Sequence, residues 1–262
     1  MLRSFLALCV CCFMASFSQA NVLGEMQTFA PNTDGLDFIT VHSARPLNHK
    51  FFAFSNYLNF SKDHLQVYEN LPQQQWMGYS SQLLEYDFGI SYAATKTLQF
   101  SLMAPFLLDY WGEENKGIYV EATKGVHSYR PGAKWSFYDN GDVFMAALFS
   151  MDFPQVKNSP YTGIEDKPIF NYELATTIKS GRDTHGVNVG YRKRLPTDTP
   201  TDARMYPLKD QLLASYGYSR LLSRSSRFIF EVFSSYPLNK DPYGRALEAS
   251  SLDVLFGMKH FW

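Results

Sequence analysis

Cysteine is absent from most of the chain. The sequence has three cysteines, all within its first twenty residues: Cys9, Cys11 and Cys12. That stretch has the layout of a secretion signal, with a basic start, an apolar run over 5–17 and small residues before a cleavage point after Ala20. The mature chain would then have neither thiol nor disulfide. A lipid anchor on one of these cysteines is the alternative, although small residues do not directly precede them.

The remaining sequence also lacks long apolar runs and an excess of one charge. No stretch after Ala20 reaches the roughly 18 to 20 apolar residues of a membrane-spanning helix, so entry into a membrane would require a closed β-barrel. The 24 basic and 25 acidic residues nearly cancel, which leaves no basic field to attract nucleic acid. Aromatic residues, by contrast, make up 16% of the chain, and a membrane interface favours such amphipathic rings.

Apolar and polar side chains alternate in many segments after residue 50. Within 84–92 every even position is apolar, while the odd positions include Glu85 and Asp87. The segments 97–107 and 251–262 repeat this period of two. A period of two indicates β-strands that have one apolar and one polar face.

Segments of this kind predict about ten strands, each close to the ~9–11 residues that a tilted strand needs to cross the hydrocarbon layer. They lie at 51–60, 82–93, 97–107, 127–138, 142–153, 169–179, 184–194, 210–220, 226–236 and 251–262. Tight turns at 94–96, 139–141, 180–182 and 222–225 alternate with long connections at 61–81, 108–126, 154–168, 195–209 and 237–250. This alternation is typical of outer-membrane barrels, with short periplasmic turns and long outer loops.

The sequence therefore predicts an all-β fold, a transmembrane antiparallel up-and-down β-barrel of about ten strands over 51–262, after a signal peptide over 1–20. Residues 21–50 form an N-terminal extended segment, either a periplasmic tail or partly folded into the lumen. If 38–41 and 118–122 also pair, the barrel has twelve strands. A soluble sandwich or lipocalin-like barrel has the same period with its apolar face turned inward. Uniform strand lengths and the asymmetry of the connections favour the membrane.

The end of the chain also favours a membrane barrel. Apolar and aromatic side chains stand there at every second position: Phe256, Met258, His260 and Trp262. Such a terminal strand resembles the signal that the outer-membrane barrel-assembly machinery reads. We therefore expect the cell outer membrane as the location, with that machinery and outer-membrane lipid, including lipopolysaccharide, as partners and no nucleic acid.

Charged residues on the polar faces predict the contents of the lumen. They are Glu85, Asp87, Glu173, Glu231 and Asp253 against Arg130, Lys134, Arg192 and Lys259. Side chains nearly fill a bore of this size, and unpaired charges inside it would be costly. We interpret these residues as a structural ion-pair network that largely plugs a porin-like barrel. A narrow solute channel or transporter lined by the same residues is the alternative.

The sequence shows no constellation that indicates catalysis, a metal or a cofactor. His127 stands next to Ser128, but neighbours on a strand face opposite sides of the sheet. No His or Cys pair has zinc spacing, and neither a phosphate-binding glycine loop nor a nucleophile elbow is present. We therefore expect no catalytic, metal or cofactor site. An outer-membrane hydrolase and a surface adhesin that uses aromatic residues of the long loops are the alternatives.

Residues 29–45, which read FAPNTDGLDFITVHSAR, and residues 56–60, which read NYLNF, carry a family resemblance. The chain resembles the N-terminal β-barrel of OmpA-like outer-membrane proteins of delta-proteobacteria and predatory bacteria, and the strands near 131–134, 187–191 and 214–218 fit the same pattern. The resemblance implies an integral outer-membrane protein with a structural or porin-like role, and it transfers no catalytic residues. Those relatives usually continue into a peptidoglycan-binding domain, whereas we expect this sequence to stop at the last strand of the barrel. Cell-wall tethering is therefore not carried over to it.

Overall fold

The computed structural model describes residues 29–68, 76–111, 124–155, 167–195, 210–238 and 251–260. Within these residues the regular elements are eleven β-strands, which confirms the all-β prediction. The strands are β1 (Phe52–Tyr68), β2 (Trp76–Ala93), β3 (Leu98–Trp111), β4 (Gly125–Val126), β5 (Ser128–Asp139), β6 (Val143–Pro154), β7 (Ile169–Ser180), β8 (Asp183–Arg194), β9 (Gln211–Leu221), β10 (Ser226–Pro237) and β11 (Ser251–His260). No helix in these ranges is long and apolar enough to cross a membrane.

Ten strands form one antiparallel sheet in the order β1-β2-β3-β5-β6-β7-β8-β9-β10-β11, and the short β4 pairs with β3 beside this path. This up-and-down order confirms the prediction of about ten strands. Short turns join β2 to β3, β5 to β6, β7 to β8 and β9 to β10, so the longer connections all leave the opposite end. The twelve-strand alternative is not supported, because residues 38–41 form no strand and 118–122 lie outside the described residues.

The first hairpin is longer than the sequence predicts. Most of the connection expected at 61–81 is strand, since β1 continues to Tyr68 and pairs there with Trp76 of β2. The pairing shifts register between Lys62 and Leu65 and again before Gln66. Backbone pairing does not require an apolar face, and the regular alternation on which the prediction depended is missing from this part of the sequence.

The apolar faces of the strands point outward. Leu58, Val189 and Phe256, on three different strands, are 69%, 54% and 70% exposed. On β2 the polar positions point the other way, and Glu85 and Asp87 are only 2% and 3% exposed. The sheet is therefore inside-out relative to a soluble barrel, whose apolar side chains form the core.

The concave face of the sheet surrounds residues 29–47, which we call the inner segment. Its chain turns back on itself, because Asn32 N–H donates to Ile39 O at 2.7 Å and Asn32 Nδ2 donates to Phe38 O and Val41 O. Phe38 and Val41 have no exposed surface. The sequence leaves two alternatives for the N-terminal region, a periplasmic tail and partial folding into the lumen. Residues 29–47 follow the second.

The inner segment brings the two ends of the strand order close together. Tyr57 Oη on β1 donates to Asn32 O at 3.5 Å, and Lys259 Nζ on β11 donates to Gly35 O at 3.0 Å. Since Asn32 and Gly35 are close in the chain, a sheet whose two edges both reach them curls back on itself. Among the residues described, the ladder runs from β1 to β11 without pairing these two edges to each other.

Candidate functional site

Glu231 on β10 holds the middle of the inner segment. Its carboxylate accepts hydrogen bonds from the N–H groups of Ile39 at 2.5 Å, Thr40 at 2.7 Å and Val41 at 3.2 Å, and a further one from the Thr40 hydroxyl. Glu231 is completely buried. A carboxylate without water needs such donors, so the three successive N–H groups account for a buried charge in the lumen.

Lys259 on β11 binds the first half of the inner segment through carbonyl oxygens. Its ammonium group donates to Gly35 O at 3.0 Å, to Leu36 O at 2.9 Å and to Phe38 O. An ammonium group has three N–H donors, and these contacts provide an acceptor for each. The last strand of the sheet is thereby fastened to a segment that precedes the first.

Lys134 on β5 binds both halves of the inner segment. Its Nζ donates to Asp34 Oδ2 at 2.6 Å, to Ser43 O at 3.1 Å and to Arg45 O at 2.7 Å. Burial opposes ionisation of Asp34, but the positive charge of Lys134 outweighs it and holds the pKa of Asp34 below its usual range. The pair is therefore an ionic clamp in the lumen.

Asp37 forms a second ionic cluster. Its Oδ1 accepts from Arg45 at 2.8 Å and from Arg227 of β10 at 2.7 Å, and its Oδ2 accepts from the Ser43 hydroxyl at 2.7 Å. Burial opposes ionisation here too, but the two guanidinium groups and the hydroxyl lower the pKa of Asp37 overall. Two inner-segment residues thus share a charge network with the wall.

Phe38 packs directly on a pair of glycines in the wall. Gly186 on β8 and Gly217 on β9 are register partners, and a Cβ atom built on either would come within 2.6 and 2.7 Å of the Phe38 ring. Only glycine leaves room for the ring at these two positions. The same close approach recurs at Gly257 on β11, where a Cβ atom would lie 2.8 Å from Ile39 Cδ1.

Four further polar side chains, each from a different strand, bind the main chain of residues 42–47: Gln99, Ser136, Thr177 and Asn188. In the amide orientation that satisfies both groups, Asn188 accepts from His42 N–H at 2.8 Å and donates to His42 O at 3.1 Å. Inner-face side chains thus replace the regular pairing that this irregular segment lacks.

A cavity of about 180 Å³ lies in the lumen beyond the inner segment, on the side of the long connections. Its charged and imidazole groups are Glu85, Asp87, Asp152, Glu173, Arg130, Arg192, His42 and His127. Apolar side chains complete it, among them Phe29, Met103, Ile169 and Phe233. The lumen is therefore divided into a filled half at the short turns and a charged cavity at the long connections.

Ion pairs cross the walls of this cavity. Arg130 on β5 donates to one oxygen of Asp152 on β6, Oδ2, from Nε at 2.9 Å and from Nη2 at 2.6 Å. His127 Nδ1 lies 3.4 Å from Glu85 Oε1. Several buried side-chain atoms have no hydrogen-bond partner among the described residues, and those at this cavity include Glu85 Oε2, Asp87 Oδ2, His127 Nε2 and Asp152 Oδ1.

The charged residues singled out by the sequence fall into two groups. Glu85, Asp87, Arg130, Glu173 and Arg192 line the cavity, whereas Lys134, Glu231 and Lys259 bind the inner segment. Asp253 is half-buried on β11. The structure thus places these residues on the concave face, but many of their partners are in the inner segment rather than on other strands.

Sequence reasoning missed the charged residues of the inner segment and some of the residues that line the cavity wall. Asp34, Asp37 and Arg45 precede the first strand, where no periodicity marks a buried face. His127 was expected to point away from Ser128, and this is wrong: His127 lies between β4 and β5, outside regular strand geometry, and both residues line the cavity. The signals available were the glycines of β8 and β9, which admit a large ring.

The residues of the C-terminal signal can be placed in part. Phe256 and Met258 are 70% and 68% exposed on the outer face of β11, and His260 Nδ1 lies 3.0 Å from Ser226 Oγ at the short-turn end. Trp262 and the signal peptide over 1–20 lie outside the described residues. Within the described ranges no group of three His, Cys, Asp or Glu side chains is arranged to hold a metal ion.

Comparison with known proteins adds little to this geometry. No protein-family model matches the sequence, and no curated protein matches it. Among solved structures the chain is similar to the crystal structure of a Pseudomonas aeruginosa FadL homologue, at 14% identity and a TM-score of 0.38 over 79% of this chain. The match covers 59% of that protein, less than two thirds of its length, and so distant a likeness carries no argument about this chain. The resemblance to OmpA-like barrels stays a prediction.

Proposed function

We propose that this chain is an integral outer-membrane β-barrel with a structural, porin-like role, whose lumen the inner segment closes at the short-turn side. One observation carries the proposal: an apolar exterior surrounds a charged interior that is bound to residues 29–47. A soluble protein gains nothing from an arrangement that exposes so many large apolar side chains. Catalysis has no part in the proposal.

The exposed aromatic side chains support insertion into a bilayer. Trp135 and Tyr138 are 57% and 45% exposed towards the short-turn end, and Tyr129, Tyr172 and Tyr236 are 42%, 49% and 40% exposed towards the other. Aromatic girdles at both interfaces around an apolar band are the pattern of outer-membrane barrels. The band between them would lie in the hydrocarbon layer.

A bilayer also supports closure of the sheet. Lipid offers no hydrogen-bond partner to the free edges of β1 and β11, and an unpaired backbone group there costs several kcal/mol. These strands run antiparallel in the up-and-down order, so they can pair directly. We propose that they do so in the membrane and that the barrel has ten strands.

Two features of the sequence support the proposed location in the outer membrane. The proposed signal peptide over 1–20 would direct export, and the terminal strand with Phe256 and Met258 would be read by the barrel-assembly machinery. Outer-membrane lipid and lipopolysaccharide would then contact the outer face. The resemblance to OmpA-like barrels supports the same structural role in the outer membrane.

Single-channel recording in planar bilayers tests closure. The mature chain, residues 21–262, is expected to leave the bilayer silent, whereas a variant without residues 29–47 is expected to give discrete conductance steps, because its polar lumen fills with water. The double variant Glu231→Gln, Lys259→Met keeps the chain length and should conduct intermittently. Heat-modifiable gel migration verifies that each variant is a folded barrel. Steady conductance of the mature chain equal to that of the deletion variant would refute closure.

A gated solute channel is the second candidate. The charged cavity on the long-connection side favours it, because a purely structural barrel has no need of a cavity of this kind. Movement of the inner segment would then open the path. This candidate predicts that a solute which binds in the cavity raises the conductance of the mature chain, while a structural barrel stays silent with every solute.

A further inference from the structure

The cavity has more acidic than basic groups. Glu85, Asp87, Asp152 and Glu173 are four carboxyl groups, whereas Arg130 and Arg192 are the two guanidinium groups. Both guanidinium groups are already engaged. Arg130 holds Asp152, and Arg192 Nε donates to Asn171 Oδ1 at 2.7 Å. The cations of the wall therefore do not satisfy all of its acceptors.

Three of the unsatisfied acceptor atoms lie together on one wall of the cavity, apart from Asp152 Oδ1 on β6. Glu85 and Asp87 are two residues apart on the inner face of β2, and His127 lies beside Glu85. All three residues line the cavity and are at most 3% exposed, yet each has one polar side-chain atom without a partner among the described residues. A buried acceptor without a donor is unfavourable, so three such atoms close together are unusual in a folded protein.

The chemistry of these three atoms indicates which kind of ligand fits between them. In neutral His127 the Nδ1–H faces Glu85 Oε1, which leaves Nε2 as an acceptor. Glu85 Oε2 and Asp87 Oδ2 are carboxylate oxygens, so all three atoms need donors and the site favours positive charge. A primary ammonium group carries one positive charge and three N–H donors, which matches this set. A metal ion fits less well, since no described group of three side chains is arranged to hold one.

The rest of the cavity specifies the body of the ligand. Phe29, Met103 and Phe233 supply apolar surface, and a volume of about 180 Å³ admits a small molecule rather than a peptide or a sugar chain. We propose that this cavity binds the ammonium group of a small organic amine between Glu85, Asp87 and His127, with its apolar body against the aromatic side. The long connections place the cavity at the outer face of the proposed barrel.

Three aromatic probes of similar size test the proposal by isothermal titration calorimetry on the mature chain in detergent micelles. Benzylammonium is expected to bind at one site, while neutral benzyl alcohol and anionic benzoate bind at least tenfold more weakly. Titration into micelles without protein removes the contribution of partitioning. Equal affinities of the three probes, tighter binding of benzoate or no binding of benzylammonium would each overturn the proposal, and none of these comparisons requires a variant to fold.

Variants locate the site. Asp87→Asn and Glu85→Gln keep the shape of the wall, and each is expected to weaken benzylammonium binding at least tenfold. Asp142→Asn removes the same charge from an exposed short turn and should bind like the parent chain. Unchanged binding in both cavity variants would refute this location. Amine binding in micelles does not depend on closure of the lumen, so the proposed function and this site can fail separately.

Discussion

The Glu231 carboxylate accepts two hydrogen bonds from Thr40, one from its N–H at 2.7 Å and one from its hydroxyl, across 191 residues of chain. Replacing Glu231 with Gln keeps the size but removes the charge and turns an NH2 group toward donors. We expect a loss of about 1–3 kcal/mol in the free energy of unfolding, since buried N–H groups then lack an acceptor. Denaturant unfolding in micelles measures the loss, and the exposed Asp142→Asn variant should match the parent. Equal stability of Glu231→Gln would contradict this contact.

Gly217→Ala tests the packing of Phe38 on the wall. The added methyl group would lie 2.7 Å from the ring, so the variant is expected to lose about 1–3 kcal/mol through overpacking. The double variant Phe38→Leu, Gly217→Ala should recover part of that loss, because a smaller side chain leaves room for the methyl group. Thermal unfolding of the two single variants and the double variant gives the coupling energy. Additive effects would mean that the two residues do not touch.

The strands could be predicted because their two faces differ in side-chain polarity and in burial. Apolar side chains such as Leu58 and Val189 face outward, while acidic side chains such as Glu85 face inward. Because successive residues of a strand face opposite sides, this contrast appears in the sequence as a period of two. The continuation of β1 to Tyr68 could not be predicted in the same way. It lacks the regular apolar alternation, although its backbone still pairs with β2.

The burial of the inner segment could not be predicted from the sequence. Its residues form no regular element, so neither a period nor a capping pattern marks them as buried. Glu231 and Lys134 were recognisable as lumen charges, but sequence patterns do not reveal that their partners are the main chain of residues 39–41 and the side chain of Asp34. Contacts between residues so far apart in the chain depend on the curvature of the whole sheet, which no local pattern encodes.

The ionic clamp between Lys134 and Asp34 predicts a change in the pH dependence of stability. The folded pKa values of Asp34 and Asp37 lie below the unfolded value of 3.8, so their stabilisation is present above about pH 4 and is lost as the pH falls through the folded values. In Lys134→Met the strongest favourable charge is removed, and we expect burial to outweigh the remaining hydrogen bond from Leu36 N–H and the charge of His42 and to raise the pKa of Asp34 above 3.8. The contribution of Asp34 to stability should then be lost as the pH rises through this raised pKa.

Melting temperatures in micelles between about pH 3 and about pH 7 test this reversal of sign. Lys96→Met removes a lysine from an exposed short turn and should follow the pH profile of the parent. Asp37 contributes to both profiles, so the difference between the profiles of Lys134→Met and the parent isolates Asp34. If this difference does not grow as the pH rises, Asp34 does not depend on Lys134 for its ionisation.

An arginine on the outer face distinguishes a membrane barrel from a soluble one. Val189, in the middle of β8, and Leu222, in the short turn after β9, are similarly exposed, at 54% and 50%. In a bilayer, Val189→Arg would place a charge near the midplane and lower the free energy of unfolding by about 2–4 kcal/mol, whereas Leu222→Arg near the interface would lower it by about 0–1 kcal/mol. In a soluble protein both substitutions would be nearly neutral, because an exposed arginine remains in water.

Folding of the two variants into phosphatidylcholine vesicles, followed by denaturant titration, measures the difference between their free energies of unfolding. Equal stabilities would place the outer face in water and remove the physical basis of the proposed function.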